Sequence, residues 1–123
     1  MDHRTFRASL VKIMPGYRWT VHKAGPAAKR LVATGIQSSG LNRISTLQVT
    51  CASTEGGEYF TARSAGFGRR APWLHQNGDR TLARALRGLQ IHYRAMAASY
   101  SGHEQALENG RRACPENLEA AHG

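Results

Sequence analysis

The sequence predicts an α+β domain: an antiparallel sheet of three to four strands, flanked by an N-terminal helix and a long C-terminal helix. Two patterns carry that expectation. Residues 17–64 alternate apolar and polar side chains and are punctuated by glycine-containing turns, as hairpin-linked strands are. The segments on either side repeat apolar residues every three or four positions, as helices with one buried face do. At 123 residues the chain can bury one core without a metal or disulfide staple.

Residues 2–14 read as a short amphipathic helix. Asp2 can cap it, because its carboxylate accepts free N–H groups of the first turn. Phe6, Leu10 and Ile13 form one apolar face, and Pro15-Gly16 ends the helix. Tyr17 to His22 alternates strictly, which sends Tyr17, Trp19 and Val21 to one side and Arg18, Thr20 and His22 to the other. Gly25-Pro26 breaks the run. Arg30 to Gln37 is the second strand, Ser38-Ser39-Gly40 a turn, and Arg43 to Cys51 the third strand, with Leu47, Val49 and Cys51 on one face. Glu55-Gly56-Gly57 makes a tight turn, where glycine tolerates positive φ. Glu58 to Ser64 is the fourth strand.

Residues 65–78 read as a loop, long enough to suggest a function of its own. The strongest helical pattern is 80–100, with Asp79 as its cap. Its apolar stripe is Leu82, Leu86, Leu89, Tyr93, Met96 and Tyr100. Ser101-Gly102 ends or bends it, and a shorter helical piece follows at about 103–113. The domain is expected to span 1–113, leaving 114–123 as a flexible acidic tail.

Charge narrows the function classes. Lys and Arg number 17 against 8 Asp and Glu, a formal charge of +9. Residues 1–102 hold fifteen of the basic residues and only four of the acidic ones. That excess favours nucleic acid or another anionic partner, although a basic chain that is merely well dispersed has the same composition. Three constellations stand out. Arg80, Arg84, Arg87 and Arg94 share one helical side, where guanidinium groups can meet consecutive phosphates. A solvated helix face is the alternative. In the 66–73 loop, Arg69 and Arg70 lie between Phe67 and Trp73, so basic groups can grip a backbone while a ring stacks on a base. The alternative places both rings at the core edge. Finally, Arg18, His22, Lys23, Lys29, Arg30 and Arg43 can form a basic sheet surface, or simply the solvated side of the sheet.

Catalysis finds little support. The six histidines are scattered, neither a zinc motif nor a nucleophile elbow is present, and the body holds too few acids for two-carboxylate or two-metal chemistry. No cofactor or metal is expected, and the chain reads as a non-enzyme. Cys51 reads as a buried strand residue. The N-terminus lacks the apolar run of a signal peptide, and no stretch reaches the roughly 18–20 apolar residues that span a bilayer. A cytoplasmic location without membrane contact is therefore expected, with self-association into a homodimer left open.

The runs Ile36–Arg43, Ser64–Gly68 and Thr81–Leu86 resemble small accessory proteins of proteobacterial phages and prophages, over about the middle two thirds of the chain. Such proteins include anti-CRISPR inhibitors, which bind a host defence complex without an active site. The resemblance implies a mobile-element protein in the host cytoplasm that binds DNA, RNA or a host nucleoprotein complex. As an alternative, it implies an inhibitor acting by protein–protein contact. Many such inhibitors are acidic DNA mimics, and this basic chain departs from that pattern. The element order is also similar to that of double-stranded RNA-binding domains, with Asp79–Arg84 at the start of the last helix but without their lysine-rich signature.

Overall fold

A computed structural model describes residues 1–25 and 29–112. The element order is α1 (His3–Ile13), β1 (Arg18–Val21), β2 (Arg30–Ser39), β3 (Asn42–Thr54), β4 (Gly57–Ala65), β5 (Trp73–Asp79) and α2 (Leu82–Arg111). The five strands form one antiparallel meander in sequence order. The α+β class and both flanking helices agree with the sequence expectation, but the sheet has five strands rather than three to four. Part of the 65–78 segment is β5. Its Trp73-Leu74-His75-Gln76-Asn77-Gly78-Asp79 sequence lacks β-branched residues and alternation, so pairing with β4 overrides weak local propensity. The expected 114–123 tail and Pro26 lie outside the described residues.

The chain falls into two units, residues 1–90 and 91–123, divided within α2. In the first unit α1 begins where Asp2 accepts the Thr5 N–H at 2.7 Å. That bond holds the Asp2 carboxyl below the usual carboxylate range. The cap is therefore intact at neutral pH and fades as pH falls through the lowered pKa. Met14 closes the helix by donating its N–H to the Leu10 carbonyl.

Strand register sorts the sheet into two faces. On one face, rows such as Leu31–Cys51–Phe60 and Val21–Ala33–Val49–Ala62 lie across neighbouring strands. The buried members of these rows, with Trp19 and Leu47 of the sheet, Phe6 and Leu10 of α1 and Leu82, Ala85, Leu86 and Leu89 of α2, form the core, and Leu31 is half-buried beside it. Phe6 is fully buried, its ring 6.5 Å from that of Phe60. Burial pushes the Cys51 thiol above its ordinary pKa, as expected of a core residue.

Trp19 fixes one end of this core. Its indole N–H donates to the Met14 carbonyl at 3.0 Å, and its ring lies over Gly35 on β2. A Cβ at Gly35 would stand 2.8 Å from the ring. Because the ring is anchored and cannot retreat freely, Gly35→Ala is expected to lower stability by about 1–3 kcal/mol. Urea denaturation would register this as a lower midpoint.

The start of α2 differs by two residues from the expected position. Thr81, not Asp79, supplies the cap: its Oγ1 accepts the Arg84 N–H at 3.3 Å and its carbonyl accepts that of Ala85. Asp79 ends β5 and accepts the Thr81 N–H. Gly88 leaves room for the Asn77 side chain, whose Nδ2 donates to the Ala85 carbonyl at 3.0 Å. In the second unit the helix continues without interruption through Ser101-Gly102 to Arg111. Leu82, Leu86 and Leu89 of the expected stripe are buried, whereas Met96 and Tyr100 are exposed.

Candidate nucleic-acid interface

The second face of the sheet is the candidate site. Each residue on it is set by the two-residue strand period, since its neighbours in sequence point into the core. One row across the strands reads Thr20–Thr34–Gln48–Arg63–Gln76. Beside it on one side lies Val32–Thr50–Thr61–Gly78, followed by Arg30–Ala52–Tyr59. On the other side lies Arg18–Ile36–Thr46–Ala65–Trp73. A shallow groove of about 500 Å³ runs over the middle of this face, between Arg30, Gln48, Thr50, Tyr59, Thr61, Arg63 and Gln76. These rows carry no Asp or Glu.

Two aromatic rings flank the groove, each with a guanidinium beside it. Trp73 begins β5 and is 41% exposed. The Arg63 guanidinium sits 4.2 Å from its ring centroid, and the Arg63 Nε donates to Gln48 Oε1 at 2.7 Å. Gln48 thus fixes the arginine that stacks on the tryptophan. At the other side, Tyr59 lies over Gly78, where a side chain would collide with its phenol. The Arg80 guanidinium is 5.4 Å from the Tyr59 ring. Arg80 is held by Thr54 Oγ1 at 2.5 Å and the Gly57 carbonyl at 3.4 Å, across the turn between β3 and β4. Gly57 permits that turn with φ of 106°.

The loop between β4 and β5 extends the basic surface. Gly68, at φ 104°, donates its N–H to the Arg43 carbonyl at 2.8 Å and so ties the loop to β3. Arg69 then joins Arg18 and Arg43 around an open cleft of about 730 Å³ that also takes in Tyr17, Gln37 and Ser38. Phe67 is 69% exposed, so it does not plug the core edge. Arg70 is exposed on the same loop. Nearby in the Ile36–Ala65 row, Thr46 is buried, and its Oγ1 has no hydrogen-bond partner among the described residues.

The sequence-predicted site residues therefore separate. Trp73 and Arg80 border the open face, and Arg69 and Arg70 stand on the loop at its end. Arg84 and Arg87 are exposed on α2, in the helical layer that covers the opposite face of the sheet. Arg94 belongs to the second unit. Arg18, His22 and Arg30 are exposed on the sheet surface the alternation had grouped, with His22 bonded to Thr34 Oγ1 at 2.7 Å. Tyr59 and Arg63 escaped sequence reading. The signal was present in Tyr59, Thr61 and Arg63, which alternate with Phe60, Ala62 and Ser64.

The acids of the first unit lie elsewhere. Glu58 takes the terminal ammonium of Met1, Glu55 sits in a turn, Asp2 caps α1, and Asp79 at the end of β5 accepts the Thr81 N–H. Among the described residues no three of His, Cys, Asp and Glu converge as metal ligands. No described helix is long and apolar enough to cross a membrane. Comparison with family models, with curated proteins and with solved structures finds no match to this chain.

Proposed function

We propose that this protein binds single-stranded nucleic acid along the open face of its sheet. The observation that carries the proposal is the pairing of Arg63 with Trp73 and of Arg80 with Tyr59 on an acid-free surface. A single strand offers both unstacked bases and a phosphate backbone. Aromatic rings take the first and guanidinium groups the second, and neither contact requires a particular sequence. The threonines and glutamines between them supply hydrogen-bond donors and acceptors for base edges. A duplex hides its base faces and would leave the rings unused.

Arg18, Arg43 and Arg69 continue the path of the strand beyond the groove, while Arg84 and Arg87 act only by raising the local concentration of polyanion. Binding here is stoichiometric and non-catalytic. An accessory role in a mobile element, acting on nucleic acid or on a nucleoprotein complex with an exposed strand, agrees with this chemistry.

Trp73 provides its own reporter. The chain has two tryptophans, and the other, Trp19, is buried. Titration with a single-stranded oligonucleotide is expected to quench the exposed indole, and Trp73→Phe should abolish most of that change. Quenching of equal depth in the variant would place the strand elsewhere. A binding isotherm that appears only with a protein partner would favour the inhibitor reading.

A further inference from the structure

We infer that the cleft bordered by Arg18, Arg43 and Arg69 is a phosphate-monoester site, which takes the terminal phosphate of a bound single strand. The inference rests on the proposed strand path and adds the end group that the path favours. Backbone geometry gathers the three arginines. Arg18 on β1 pairs with Ile36 of β2, and Arg43 follows the β2–β3 turn, where Gly40 takes a φ of 60°. The Gly68 N–H on the Arg43 carbonyl then brings the Arg69 loop beside β3. No Asp or Glu lines the cleft. Among the described residues none of the three guanidinium groups has a side-chain hydrogen bond or an ion pair. Arg63 and Arg80 differ, since Gln48 and Trp73 hold the first and Thr54 and Gly57 the second. Like charges around one opening repel, and a bound anion relieves that repulsion.

The charge chooses the ligand. A phosphodiester inside a strand carries a single negative charge. A phosphate monoester carries about −1.5 to −2 at pH 7 and offers three accepting oxygens. Guanidinium forks meet such oxygens two at a time. Three unpartnered forks around one opening exceed what one diester needs and suit a monoester. Position agrees with charge. Ile36 in the cleft and Gln48 in the groove are diagonal neighbours on β2 and β3, about 7–8 Å apart. The two depressions therefore adjoin on the sheet, and a strand leaving the groove enters the cleft. The opening, about 730 Å³, has the size of a small-ligand site. Tyr17, whose hydroxyl shares a 2.7 Å hydrogen bond with Ser45, and the exposed Leu41 add apolar surface for the last nucleoside.

The test compares oligonucleotides of one sequence, each with an internal fluorophore, that end in hydroxyls, in a 5′-phosphate or in a 3′-phosphate. At fixed salt, one of the phosphorylated strands is expected to bind the full chain about tenfold more tightly than the hydroxyl strand, the scale of a hydrogen bond to a charged group. Arg43→Ala/Arg69→Ala should erase that preference. Arg18→Ala, on a different strand of the sheet, should reduce it independently. These side chains have no partner in the fold, so the variants should keep the circular dichroism of the parent. Trp73→Ala should weaken all the oligonucleotides and leave the preference in place. Equal affinity of the parent for all of them overturns the inference while the strand-binding reading stands. A preference that survives in the double variant also overturns it, because the end phosphate then sits elsewhere. If the parent binds none of them, the strand-binding reading fails, and a nucleoside monophosphate titrated alone decides the cleft. Saturable shifts of the Arg18, Gln37 and Arg43 amide resonances would keep it as a monoester site for a free nucleotide, and their absence overturns it.

Discussion

Replacing Trp73 with alanine is expected to weaken single-strand binding by about 1–3 kcal/mol, or roughly 5- to 150-fold, the range for losing one stacked base. The effect should exceed that of removing any single exposed arginine, because two contributions disappear together. The base loses its platform, and Arg63 loses the ring that holds its guanidinium at 4.2 Å. Trp73→Phe should recover part of the affinity, since a smaller ring still stacks. Arg63→Ala should act differently. It removes one charge and leaves the ring, so its cost should grow as salt is lowered, whereas the cost of Trp73→Ala should vary little with salt. Fluorescence anisotropy of a labelled oligonucleotide at two salt concentrations separates the two. Neither change should lower stability much, because Trp73 lies at the edge of the sheet and is well exposed.

Phe6→Ala is expected to have the opposite profile, lowering stability by about 3–5 kcal/mol without touching the binding face. Phe6 is fully buried and joins α1 to the sheet through the Phe60 ring. Truncation leaves a cavity between two elements linked by few other large side chains. Domains have about 5–15 kcal/mol in reserve, so the variant should fold but unfold at a much lower denaturant midpoint. Leu10, also fully buried on α1, should report the same junction at a smaller magnitude, about 2–5 kcal/mol for alanine. Equilibrium urea unfolding followed by circular dichroism measures both. Below the transition, each variant should bind an oligonucleotide as the parent does.

Core and surface were unequally legible in the sequence. Strict alternation in the Trp19–Val21 and Leu47–Cys51 segments placed the right residues inside, because burying one face of a strand leaves a period-two trace. The Asp2 cap and the Pro15-Gly16 stop were equally readable. β5 was not: between Trp73 and Asp79 there is no apolar alternation to follow, and the strand exists because β4 offers it an edge. The candidate site was half visible for the same reason. Arg69, Arg70 and Trp73 attract notice as a dense local cluster. Arg63 and Tyr59 acquire meaning only when strand pairing brings Gln48, Gly78 and Trp73 beside them, which are distant in sequence. The arginine row on α2 was regular in sequence, yet Arg80 is tied to the Thr54–Gly57 turn, and Arg84 and Arg87 stand in the layer behind the sheet. Helical spacing shows which residues share a side and is silent about which layer that side belongs to.

The central claim is that a single strand lies across the open sheet face and is held there by its arginines. The most direct test is the salt dependence of single-strand affinity for the parent and for the Arg30→Ala/Arg63→Ala double variant. Each phosphate neutralised on a single strand contributes about −0.7 to the slope of log affinity against log salt. The double variant should therefore bind more weakly, with a slope shallower by about 1.4. An unchanged slope and affinity in that variant, or no binding of single strands by the parent at low salt, would contradict the claim.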